Sequence, residues 1–123
     1  MNYLEQFNNT FLELIDDLIR VFPSDSDFRM YRLAIQGATL ANQEIVQNMF
    51  HERVGLIYGD RILAKDEAFF IQNEYKDMKD EFSQAEQLIE KLKVSWQILT
   101  TDQRNIVWKY MRLIILLDRK ISS

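Results

Sequence analysis

Apolar residues recur along the first twenty positions at the spacing of a helix. At about 100° per residue, Leu4, Phe7, Phe11, Leu14, Ile15, Leu18 and Phe22 fall on one side, and Glu5, Gln6, Asn9, Glu13, Asp16, Asp17 and Arg20 on the other. This predicts an amphipathic helix from about Tyr3 to Val21. Pro23 closes it, because the residue before a proline is pushed out of the α region. The heptad-like spacing covers too few turns for a long coiled coil, and packing on a bundle accounts for it.

Ser24-Asp25-Ser26-Asp27 then offers N-cap chemistry for a second helix, which carries Phe28, Tyr31, Leu33 and Ile35 and stops near Gly37. Thr39 or Asn42 can cap a third, with Ile45, Val46, Met49, Phe50 and Val54 inside. Gly55 and Gly59 bracket Leu56-Ile57-Tyr58 as a turn or short irregular piece. From Asp60 to Phe82 the apolar positions suggest one helix, or two short ones with a joint near Lys65-Asp66. Ser83 to Glu86 is a capping box, followed by a narrow seam of Ala85, Leu88, Ile89, Leu92, Trp96 and Leu99. Thr100 to Gln103 repeats that signature and starts the last helix.

The last helix, about Asp102 to Ile121, is apolar around most of its girth. Ile106, Tyr110, Leu113, Ile114, Leu117 and Ile121 form one face. Trp108, Met111 and Ile115 form a second stripe, nearly opposite, and Lys109, Arg112, Arg119 and Asn105 fill the gap. A surface helix needs one apolar stripe; a helix with two is covered on two sides. It is therefore either the centre of a bundle or half of an interface with another chain.

Composition narrows the class. Three Gly and one Pro in 123 residues are too few for an all-β chain with many tight turns. The expectation is an all-α fold, a compact single-domain bundle of five to six helices over residues 1–123, with a largely buried C-terminal helix. No Cys is present, which excludes disulfides and thiolate metal sites and favours a reducing, intracellular setting. The N-terminus lacks the basic and apolar regions of a signal peptide. The longest aliphatic run, Leu113 to Leu117, is far short of the roughly 20 residues of a membrane span. Net charge is −4, divided as −8 over residues 1–89 and +4 over residues 90–123. The basic end reads first as a partner for acidic neighbours and second as a strip for phosphates built from Lys109, Arg112 and Arg119.

Candidate chemistry is sparse. His51 is the one histidine, and the second histidine of a zinc-binding HExxH helix would fall on Gly55. Glu13, Asp16 and Asp17, and the acids around Glu74, have the spacing with which helical phosphohydrolases hold Mg²⁺, yet Glu13, Asp16 and Asp17 lie opposite the apolar stripe and read as a solvated face. Gly55 to Asp60 lacks the lysine of a phosphate-binding loop. No catalytic set, metal site or cofactor is expected.

The stretch from Phe7 to Arg32, with its helix, Phe-Pro and acidic turn, resembles the opening of small uncharacterised helical proteins of large DNA viruses infecting algae and protists. The closing Gln103-Arg104-Asn105-Ile106-Val107-Trp108-Lys109-Tyr110-Met111 is similar to their last helix. The likeness spans nearly the whole chain but contains no chemical motif. It implies a viral product of the host cytoplasm or the virion, and assigns no activity to any residue. The leading expectation is accordingly a non-enzymatic structural or interaction protein. It would present the Trp108–Met111–Ile115 stripe, or the first helix, to a second copy or another virion protein. The alternatives are a nucleic-acid-associated module using the basic strip and a helical metal-dependent phosphohydrolase-like enzyme.

Overall fold

The computed structural model describes residues 2–68 and 91–122, and among them every regular element is a helix. Helix α1 spans Tyr3–Val21, as the periodicity predicts. Its N-cap is Asn2, whose Oδ1 accepts the Glu5 N–H at 3.2 Å. Phe7, Phe11, Leu14, Ile15 and Leu18 are buried along its inner face.

Helix α2, Ser26–Ala41, is capped by Asp25, whose carboxylate accepts the Asp27 N–H at 3.0 Å. It runs straight through Gly37 instead of stopping there. Gly37 is exposed, with nothing within 4 Å of where its Cβ would be, so it neither turns the chain nor admits a neighbour. Thr39 consequently lies inside α2, where its hydroxyl donates to the Gln36 carbonyl. Asn42 shapes the turn instead, accepting the Glu44 N–H at 3.0 Å.

The largest departure from expectation follows. Helix α3, Ile45–Phe50, continues through one π-helical turn, His51–Gly55, into helix α4, Leu56–Leu63. Gly55 and Gly59 are helical, not turn residues; both face the C-terminal helix. A Cβ on Gly55 would lie 2.5 Å from the Asp118 carboxylate, and one on Gly59 would lie 3.1 Å from the Arg119 guanidinium. They permit close approach between helices.

The expected joint at Lys65-Asp66 is present. Asp66 N–H donates to the Arg61 carbonyl and Lys65 N–H to the Ile62 carbonyl, a Schellman ending. Residues 91–95 are helical and lead into a 3₁₀ turn, Trp96–Ile98. The Ser83 capping box, Phe69 to Tyr75 and the acids around Glu74 lie outside the described residues. The second capping box forms reciprocally: Gln103 N–H donates to Thr100 Oγ1 at 3.1 Å, and Thr100 N–H to Gln103 Oε1 at 2.9 Å. Helix α5 then spans Thr101–Ser122.

One continuous core joins these elements. Helix α5 packs on α1, the π-turn and α4. Phe7, Phe11 and Phe50 meet with centroids 5.5–6.0 Å apart, and Trp96 meets Trp108 edge-on at 5.5 Å. This core corrects the reading of the Trp108–Met111–Ile115 stripe as a surface for a partner. Trp108 is 6% exposed, Met111 4% and Ile115 0%, all covered by their own chain. The inner face of α1, the other surface offered for a partner, is covered likewise. The exposed large apolar residues of the C-terminal helix are Ile106, Leu113 and Leu116. The buried seam runs Val107, Trp108, Met111, Ile114, Ile115 and on to Asp118, rotated from the two stripes drawn from sequence. No helix among the described residues is long and apolar enough to cross a membrane.

Candidate functional site

Two polar constellations border α5. The first closes the buried seam. Asp118 is 1% exposed at a position where the 107–111–114–118 spacing calls for an apolar side chain. Its Oδ1 accepts from Gln47 Nε2 at 2.8 Å, and its Oδ2 is 2.8 Å from His51 Nδ1. Ser122 Oγ is 3.3 Å from Gln47 Nε2 and 3.2 Å from His51 Nδ1. The π-turn brings His51 to this point, and Gly55 leaves room for the carboxylate.

Asp, His and Ser invite comparison with a nucleophilic triad. In a triad the carboxylate and the hydroxyl address opposite nitrogens of the imidazole, so that the ring takes a proton from one side while being held from the other. Here both address Nδ1. The arrangement cannot relay a proton from Ser122; it satisfies a buried carboxylate and clamps α5 to the α3–π-turn segment. Sequence reasoning missed Asp118 and Gln47. The available signal was an acid at the last position of a buried helical seam.

The second constellation is a cleft of about 390 Å³ between the end of α4 and the middle of α5. Its walls are Ile62, Leu63, Ala64 and Trp108, and its polar members are Lys65, Asn105, Lys109 and Arg112. Asn105, Trp108, Lys109 and Arg112 are spaced i, i+3, i+4, i+7, which aligns them along one side of α5. Lys65 enters from the Schellman ending of α4. Its φ of 53° is the one positive φ among the described non-glycine residues. Glycine takes this conformation freely, whereas a residue with a Cβ pays roughly 1–2 kcal/mol for it.

Charge partnership separates these cations from all others described. Arg32 pairs with Asp16 at 2.6 Å, Lys91 with Asp25 and Asp27 at 2.8 and 3.1 Å, and Arg119 with Asp60 at 2.6 Å. Arg20 pairs with Asp17, and Arg29 donates to the Pro23 carbonyl. Arg61 pairs with Asp66 at 2.8 Å, and Arg104 binds the Glu67 carboxylate at 3.4 Å while covering Trp96. Lys120 lies over the Tyr3 ring, and Arg53 and Lys93 also have partners. Among the described residues, Lys65, Lys109 and Arg112 alone of the basic side chains make no ion pair, hydrogen bond or ring contact, and all three line this cleft. The acids flanking it, Asp66 and Glu67, are already engaged by Arg61 and Arg104.

The candidate basic strip is therefore divided. Lys109 and Arg112 stand together on the cleft, whereas Arg119 is spent on Asp60 across Gly59. Lys65 replaces it, a residue that sequence reasoning treated only as a joint. Of the acidic face, Asp16 and Asp17 pair with Arg32 and Arg20. Among the described residues no three metal-ligating side chains gather at one point. A further hollow of about 230 Å³ between α1 and α5 is lined by Leu14, Leu18, Leu99 and Ile106, with the paired Asp17 and Arg20 at its edge. It offers shape without unsatisfied chemistry.

Comparison with protein-family models, with curated proteins and with solved structures finds no match.

Proposed function

We propose that this protein is a non-enzymatic binding module that holds a phosphate-bearing ligand in the Lys65–Lys109–Arg112 cleft. One observation carries the reading: among the described residues, the three cations without a protein partner converge on one cleft. A cleft lined by one sign of charge focuses the field and concentrates counter-charged ligands. Arg112 suits bidentate contact with phosphate oxygens, and the two lysines act as mobile point charges. This modifies the nucleic-acid alternative drawn from the Lys109–Arg112–Arg119 strip, with Lys65 in the place of Arg119.

Thermal denaturation with inorganic pyrophosphate at low ionic strength tests the proposal. A ligand at 100 times its Kd stabilises by about 2.7 kcal/mol, which is read directly as a rise in Tm. Lys65→Ala, Lys109→Ala and Arg112→Ala should each diminish the rise, and 0.5 M NaCl should abolish it. A rise of equal size in all three variants, or none in the wild type, would overturn it.

A second reading, self-association, is favoured by one other observation. Met30, Leu33 and Leu40 on α2 are 58%, 69% and 83% exposed, with the exposed Gly37 between them. The 3–4–3 spacing of 30, 33, 37 and 40 matches a helix-pairing seam, and a second copy would offer the same stripe to it. Light scattering across a concentration series decides it: a dimer mass lost in Leu33→Glu supports the reading, and a monomer at every concentration ends it.

A further inference from the structure

Resting on the self-association reading of α2, we infer that two copies of this chain pair through that helix in antiparallel orientation, with the two-fold axis at the level of Ile35. Helix α2 buries Phe28, Tyr31 and Ile35 on one side. At about 100° per residue, Met30, Leu33, Gly37 and Leu40 gather within roughly 80° on the other side, and none of them is charged. Ala34 and Ala41 border this seam on one edge and the exposed Arg29 on the other.

The seam reads the same in both directions. Positions 30 and 40 share their midpoint, 35, with positions 33 and 37. Reversing a second copy therefore sets Met30 against its Leu40 and Leu33 against its Gly37, and each contact occurs twice, as a two-fold interface requires. Every layer then holds at least one large side chain, and Leu33 fills the space that Gly37 leaves. A parallel pair sets like on like. Its glycine layer would be empty between two leucine layers, and a void in a packed seam forfeits contacts on every side. Charge points the same way. Reversal carries Arg29 to the last turn of the second copy's α2, where the carbonyls favour a cation and the helix has no basic residue of its own. A parallel pair places both copies' Arg29 at one end. The stripe is its own complement, and this singles out a second copy as its occupant. The contact is one helix wide, about 10 Å, and about 24 Å long. That is well short of the roughly 800 Å² per partner of a standard interface, so the dimer exchanges with monomer.

The chain has no cysteine, so introduced thiols report the orientation. Met30→Cys and Leu40→Cys both replace exposed side chains and leave the core untouched. In the antiparallel pair, the two thiols of either variant alone are separated by the run from 30 to 40, about 15 Å along the seam and out of disulfide reach, whereas position 30 meets position 40. Under mild oxidation, an equimolar mixture of the two variants should give roughly fivefold more disulfide-linked dimer on a non-reducing gel than either variant alone. It should exceed by the same margin Leu56→Cys, an exposed collision control on α4. Light scattering of the wild type at the same concentrations should show a dimer mass. A dimer mass with each variant cross-linking to itself, and the mixture no better, would overturn the antiparallel assignment and leave self-association through α2 standing. A dimer mass with no cross-link above the Leu56→Cys control would place the contact elsewhere and overturn both. A monomer at every concentration would also overturn both.

Discussion

Gly55 and Gly37 are both helical, yet adding a methyl group to each should move stability in opposite directions. Alanine is the better helix former by about 1 kcal/mol, and at Gly37 nothing opposes that gain. At Gly55 the new Cβ would meet the Asp118 carboxylate, itself held by Gln47 and His51. Gly37→Ala should therefore stabilise by about 0.5–1 kcal/mol and Gly55→Ala should destabilise by about 1–3 kcal/mol, both read from urea midpoints. Asp118→Ala strands Gln47 and His51 and should cost about 2–4 kcal/mol in the same assay. Lys65 separates function from folding. Lys65→Gly relieves the left-handed backbone and should raise stability by about 1 kcal/mol while weakening pyrophosphate binding. A lysine contributing only to the fold would lose both together. None of these pairings is visible in sequence, because each joins residues more than forty positions apart or depends on one dihedral angle.

Helices were legible where their own periodicity decides them. The apolar stripe of α1 and the reciprocal Thr100–Gln103 box of α5 are local features, and the structure contains both. Glycine misled twice for one reason: it was read as a breaker, although its role depends on its neighbours. At Gly37 it has none, and at Gly55 and Gly59 it makes room for α5. The girth of apolar residues on α5 correctly indicated a helix covered on more than one side, but it could not say by what. Burial by α1, the π-turn and α4 answers that, and it changes the expected result of a mutation. Ile115→Asp should abolish the cooperative thermal transition, because it buries an unpaired carboxylate in the core. An interface residue would instead lower the oligomer mass and leave the fold intact.

Across the whole molecule, ionisation sets the limits of stability. Lys91 holds the Asp25 carboxyl below its ordinary value, so this pair contributes above the unfolded carboxylate pKa of about 3.9 and is lost as pH falls through the lower folded value. Asp25 and then Asp27 raise Lys91 above its usual range. Tyr110 is pushed up to about 12, first by burial and then by the Asp17 carboxylate beside it. Both raised groups keep their protons longer in the folded chain than in the unfolded one. Their contribution is complete below about pH 10 and is lost as pH rises from there through their folded values. Stability should thus fall in two windows, below about pH 4 and above about pH 10. Tyr110→Phe should flatten part of the alkaline fall, as measured by urea denaturation at fixed pH values.

The acidic net charge of this chain conceals an uncompensated cationic cleft, and the location of ligand binding tests that point most directly. An amide NMR titration with inorganic pyrophosphate at low salt reads the location residue by residue. Shifts should concentrate at Ala64 to Asp66 and Asn105 to Arg112, saturate with one equivalent, and leave the signals around Arg29 and Arg119 in place. Shifts scattered over the paired cations, or no shifts at millimolar pyrophosphate, would contradict it.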